Sequence, residues 1–129
     1  FRVSLIDERQ EIAAVYNGKP CLDVGLMTDV FSGYGKSDGI IRAVRCMSPD
    51  YIVTDELGAD AESIRQAVNS GSGLIMTAHA DSIEEAYRNE GIRTVIDSGA
   101  IQHIALVQSH RITAVKQLIT AEANAVCTI

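Results

Sequence analysis

Tryptophan is absent from the 129 residues, and the only aromatics are two Phe and four Tyr. A core must therefore be built from small aliphatic side chains, which the 47% hydrophobic content supplies. Cysteine is scarce and odd in number: Cys21, Cys46 and Cys127, with no C-x-x-C spacing. That excludes a disulfide framework and points to a reduced, cytosolic setting. Basic residues are outnumbered 11 to 17, giving a net charge of −6 with no basic block, which argues against a nucleic-acid surface. Apolar runs are interrupted too soon to form a membrane-spanning helix. A chain of this length fits one domain that buries roughly two-thirds of its unfolded surface. It opens at Phe1 directly into a strand-like run, without an initiator Met or a signal peptide, and so reads as a fragment.

Periodicity alternates strands and helices. "FRVSLIDE" is a short buried strand ending on acids. Residues 10 to 36 are Gly-rich and read as a long loop with a short extended piece. Ile40, Ile41, Val44 and Met47 fall at helical spacing from Ser37 to Met47, and Pro49 stops that helix. "DYIVTDE" is a second strand ending on acids. Asp60 is placed to cap a helix burying Ala61, Ile64, Ala67 and Val68, ended by Gly71. "GLIMTAH" is a third strand. Ser82 and Glu85 make a capping box for a helix turning Ile83, Ala86 and Tyr87 inward and ending near Gly91. A short helix follows over Ile92 to Asp97. "IQHIALVQ" and "RITAVKQLI", joined at Ser109-His110, read as an antiparallel hairpin at a sheet edge, and residues 121–129 as a tail.

Helices between buried strands imply an α/β fold with a largely parallel sheet, whose ligands bind beyond the carboxyl ends of the strands. Three strand ends should then meet at one edge: Asp7-Glu8-Arg9, Asp55-Glu56 and Thr77-Ala78-His79. Asp7, Asp55 and Thr77 are expected there on adjacent or next-but-one strands, in a site for Mg²⁺ and phosphate. Asp55-Glu56 after "YIVT" has the Walker B form, an apolar strand, an Asp for the metal's water shell and a Glu that polarises attacking water. Each piece also has a plainer reading. Asp7-Glu8 is equally a solvated strand end, and His79 a surface residue before a helix cap. Arg42 and Arg45, three apart, either point two cations at phosphate or form a solvated face. His103 and His110 lack metal-ligand spacing. Gly35-Lys36-Ser37 ends like a P-loop, G-x-x-x-x-G-K-[ST], but Val30 stands where the leading Gly belongs. It is read as no phosphate cradle, with Ser37 as a helix N-cap.

Taken together, "LIDERQEIAAVYNGKP", "DVGLMTDVFSG", "AVRCMSPDYIVTDELG" and "LIMTAHADSIEEAYRN" resemble the family of stage III sporulation protein AA. This family comprises ATPases of endospore-forming bacteria, similar to the hexameric secretion ATPases with RecA-like cores. The resemblance runs from about Val3 to Val107 and fades beyond. It implies that residues 1–120 are the C-terminal part of a RecA-like P-loop NTPase core whose P-loop precedes Phe1. It further implies Asp7 and Glu8 in an acidic box, Asp55 and Glu56 as Walker B with Asp55 holding Mg²⁺ through water, and Thr77 beside the nucleotide. His79 then becomes a γ-phosphate sensor, and Arg42 and Arg45 reach a neighbouring subunit's nucleotide. ATP and Mg²⁺ are the implied cofactors. A homo-oligomeric ring, cytoplasmic and brought to the membrane by components of a sporulation channel, is the implied assembly. The 129 residues alone are expected not to hydrolyse ATP, because the phosphate cradle is missing.

Two other classes share some of these features. A response-regulator receiver also has an acidic pair after its first strand, a phospho-accepting Asp (here Asp55) and Thr-Ala after a later strand. The missing Lys-Pro after "IQHIALVQ" and the long Gly-rich segment count against it. The third is a non-catalytic RecA-like module that only assembles with partners.

Overall fold

The computed structural model describes residues 1–56 and 61–118. Its organising element is β1, Val3–Asp7, whose last four residues are buried because strands flank it on both sides. β2 (Thr28–Ser32) pairs with one edge of β1 and β3 (Tyr51–Glu56) with the other, and β4 (Gly73–Thr77) adds beyond β3. All four strands are parallel, in the order β2-β1-β3-β4. The protein is therefore α/β, as the strand–helix alternation requires.

β2 lies inside the segment expected to be mostly loop. "TDVFS" is short and half-buried at an edge, so it carries neither the apolar run nor the strict alternation that marks a strand. The β1–β2 connection, residues 8–27, contains no helix.

α1 (Lys36–Met47) and α2 (Ala61–Asn69) pack on each other, and α1 lies over β1 and β3. Their buried stripes, Ile40 with Ala43 and Ile64 with Ala67, close on Ile6 and Ile52. α4 (Glu90–Asp97) joins the same core through Val95. The N-cap of α1 is Gly35, not Ser37; the helix is capped two residues earlier than expected, and among the described residues no side chain caps it. Ser37 instead takes a hydrogen bond from Ser63 Oγ at 3.4 Å. Asp60 lies outside the described residues, as does the tail.

Gly39 brings α1 onto β1: a Cβ there would stand 2.7 Å from Ile6 Cγ2. Alanine in a helix interior ordinarily gains about 1 kcal/mol over glycine, whereas overpacking costs about 1–3 kcal/mol. Gly39→Ala should therefore lower the urea midpoint. A raised midpoint would show that Ile6 swings aside freely.

α3 (Ile83–Ala86) begins as the capping box predicted, with Glu85 N donating to Ser82 Oγ at 3.1 Å. The Glu85 carboxylate reaches back one residue further than expected, accepting from Asp81 N at 2.7 Å. The helix ends early, at Ala86. Asn89 then caps α4 by accepting from Gly91 N and Ile92 N, so Gly91 lies within α4 and not at a boundary.

β5 (His103–Gln108) and β6 (Arg111–Gln117) form the expected hairpin, but as a separate two-stranded sheet and not at an edge of the main one. Its described ties run to the α3 region, through Gln108 Nε2 to Asp81 O and through Lys116 over the Tyr87 ring. Ser109 and His110 both adopt left-handed φ, 48° and 61°. A two-residue turn with both φ positive suits Asn-Gly and strains these residues. Replacing Ser109-His110 with Asn-Gly should stabilise the hairpin by roughly 1–2 kcal/mol, read as slower amide exchange in β5 and β6.

Candidate functional site

The sheet register decides which side chains meet. Ile6 pairs with Thr54, so Asp7 and Asp55 emerge at the same level one residue on. Glu56 pairs with Thr77 across a register shift between Thr54 and Glu56 that leaves Asp55 as the extra residue. Such a bulge re-aims a side chain at the end of a strand. Asp7, Asp55 and Thr77 thus share the carboxyl edge on three adjacent parallel strands, as their strand positions predict.

Their surroundings differ. Asp7 is fully buried, and both its oxygens are spent on backbone amides. Oδ1 accepts from Glu11 N at 2.9 Å and Ile12 N at 3.2 Å, and Oδ2 from Ala13 N at 2.8 Å. The loop after β1 is wound around this carboxylate, and Ala13 O in turn accepts from Cys21 N and Leu22 N. Glu8 is exposed in the turn that follows β1.

Asp55 is 8% exposed and ion-paired. Lys36 Nζ lies 2.8 Å from its Oδ1 and also donates to the Glu56 carbonyl oxygen. Arg9 Nε lies 4.0 Å from Asp55 Oδ2, while its Nη2 faces Glu56 Oε2 at 3.6 Å and Glu11 Oε2 at 3.4 Å. Lys36 and Asp55 are both about nine-tenths enclosed, so loss of either partner should cost about 3–5 kcal/mol by stranding the other charge. Glu56 is more open and turns toward the exposed His79, whose Nε2 is 4.0 Å away.

Arg42 and Arg45 lie elsewhere. The helical rise carries them about 9 and 14 Å along α1 beyond Lys36, toward the opposite edge of the sheet. Arg42 pairs with Asp38 at 2.8 Å and stacks 5.4 Å from the Tyr34 ring centroid. The Asp38 hydrogen bond, and then its charge, hold the Arg42 guanidinium above its ordinary range.

Lys36, which the sequence offers as the only nearby lysine able to compensate these acids although its loop is no phosphate cradle, does meet Asp55. Arg9 is the member that sequence reasoning misses, being visible only as the neighbour of two acids. Nothing in the spacing of residues 9, 36 and 55 announces their contact.

Asp55 and Glu56 are the residues here that could hold a hard divalent cation. Mg²⁺ takes one or two carboxylates and completes its shell with waters and substrate phosphates. Asp55 and Glu56 supply carboxylates, and the Glu56 carbonyl already accepts from a cationic group. Among the described residues no group of three or more His, Cys, Asp or Glu could hold a metal ion. The site can offer a metal a partial shell, not a complete cage of protein ligands.

The family model for sporulation stage III, protein AA, matches residues 1–123. The chain belongs to this sporulation family. The match continues well past Val107, where the resemblance was expected to fade. Stage III sporulation protein AA of Bacillus subtilis (strain 168) is 29% identical over 101 residues, 77% of this chain. The chain spans 33% of that relative's length. No solved structure matches. Among the described residues of this family member, no helix is long and apolar enough to cross a membrane. A receiver would share the strand order β2-β1-β3-β4, but it would need a helix between β1 and β2 and a fifth parallel strand. The 8–27 connection has no helix, and β5 pairs only with β6 among the described residues.

Proposed function

We propose that this chain supplies the metal- and water-positioning edge of an ATP-hydrolysing site in a sporulation ATPase. The core would be RecA-like and related to the secretion ATPases. The observation that carries this reading is the placement of Asp55 and Glu56 at the carboxyl edge of a parallel sheet, one enclosed and one open, with Thr77 and His79 beside them. An enclosed acid suits fixed charge, and an open acid suits contact with a reacting water.

Mg²⁺, when bound with ATP, would neutralise charge developing on the phosphates. Asp55 would hold the metal's water shell, and Glu56 would orient and deprotonate the attacking water. His79, 4.0 Å from Glu56, would report a terminal phosphate to it, and Thr77 lies at the same level. Arg9 balances Glu56 and Glu11, and Glu8 and Asp7 belong to the acidic loop that carries Arg9. The phosphate-holding P-loop belongs to sequence outside these 129 residues. Arg42 and Arg45, remote from Asp55 within one subunit, serve a neighbour's nucleotide in a homo-oligomeric ring. Such a ring would act on the cytoplasmic side, docked on membrane components of a sporulation channel, with no role for nucleic acid.

The test is phosphate release from Mg-ATP by the full-length protein and by the 129 residues alone. The full-length protein should turn over, Asp55→Asn should abolish that, and the 129 residues should show none. No turnover by the wild-type full-length protein would leave the non-catalytic assembly module as the better reading.

A further inference from the structure

Lys36 sits where a cation bound to Asp55 would sit. Its ammonium contacts a carboxylate oxygen and a backbone carbonyl oxygen, the hard donor classes that Mg²⁺ also takes. It is also placed against the local field. Lys36 is the first residue of α1, where the helix dipole is positive and disfavours a cation, and among the described residues no side-chain cap offsets this. The helix does not hold the ammonium there; Asp55 does. A Cβ on the preceding Gly35 would meet no atom within 4 Å.

We infer that Lys36 is a tethered counter-ion that competes with a divalent metal for the charge of Asp55, so that metal binds tightly only when the ammonium withdraws. This rests on the proposed role of Asp55 toward a metal. A divalent ion held at Asp55 through its water shell and an ammonium 2.8 Å from Oδ1 repel each other across a few ångströms, so each weakens the other's hold on the carboxylate. The withdrawn ammonium then needs an anion, and a phosphate is the partner with which a lysine pairs most readily. Metal alone offers none. The site therefore resists free metal and admits it together with a phosphate-bearing ligand. Lys36 is a positioning residue in this scheme, acting through Asp55.

The experiment is Mn²⁺ titration of the nucleotide-free full-length protein, with free Mn²⁺ followed by electron paramagnetic resonance. The wild type should bind Mn²⁺ only weakly. Lys36→Met should tighten binding by about tenfold or more, and adding Asp55→Asn should remove that gain. Should Lys36→Met not fold, Lys36→Gln keeps a donor for the Glu56 carbonyl and carries the same comparison. Without any folded variant the wild type still decides, because micromolar Mn²⁺ binding lost on Asp55→Asn overturns the inference. A folded Lys36 variant that gains no site also overturns it. That failure is separable from failure of the ATPase reading, which is judged by turnover of the wild-type full-length protein.

Discussion

Glu56→Gln in the full-length protein should leave Mg-ATP binding intact and lower turnover by roughly 10²-fold or more, the scale expected for removing a positioned base. The substitution keeps size and hydrogen-bonding shape while removing the negative charge that draws a proton from water. Glu56 is half-open at the strand end, with its carboxylate 3.6 Å from Arg9 and 4.0 Å from His79. Among the described residues it accepts none of the buried structural hydrogen bonds seen at Asp7, so the loss should appear in kcat and not in folding. Calorimetric titration of ATP beside a phosphate-release assay separates the two. Wild-type turnover in the variant would remove Glu56 as the base, and lost ATP binding would make it a binding residue.

Asp7→Ala should act in the opposite way, through stability. The carboxylate is fully buried and is the acceptor for three successive loop amides, those of Glu11, Ile12 and Ala13. Hydrogen bonds to a charged group contribute about 1.5–3 kcal/mol each, and amides left without acceptors cost further. The expected loss is roughly 5–9 kcal/mol, comparable to the 5–15 kcal/mol that holds a typical domain together. Asp7→Asn, with one carbonyl oxygen left, should lose about half as much. Urea unfolding reads both. An unchanged midpoint for Asp7→Ala, with turnover lost, would make Asp7 a direct participant in the chemistry.

The same residues show what the sequence discloses and what it hides. The three acid- or Thr-ended strands were legible because buried parallel strands are written as apolar runs, and polar residues at their ends can only be at an edge. The stripes of Ile40 with Ala43 and Ile64 with Ala67 fall at the helical period that buries them. β2 was legible only as a short extended piece without bounds, because an edge strand needs neither a long apolar run nor a turn signal. The hairpin was legible as a hairpin, while its separation from the main sheet depends on long-range packing that no local pattern encodes. At the site, the acids declare themselves one by one, and of their counter-charges only Lys36 can be suspected from the sequence, without its partner. Lys36 meets Asp55 across 19 residues, and the contact depends on the register of β1 between β2 and β3. The rejected P-loop motif holds a lysine that belongs to the site for another reason.

The central claim is that the metal and nucleotide meet the carboxyl edge of this sheet. The described residues also form a concavity at the opposite edge, lined in part by Pro49, Tyr51, Ser72 and Gly73. A strand of this length holds the two edges about 15–20 Å apart. Paramagnetic broadening by Mn-ATP bound to the full-length protein distinguishes them, because it falls steeply with distance. The amide signals of Arg9, Glu56 and His79 should broaden, while those of Tyr51, Ser72 and Gly73 stay sharp. Broadening at Ser72 and Gly73 with Glu56 and His79 unchanged would place the nucleotide at the wrong end of the sheet and contradict the account.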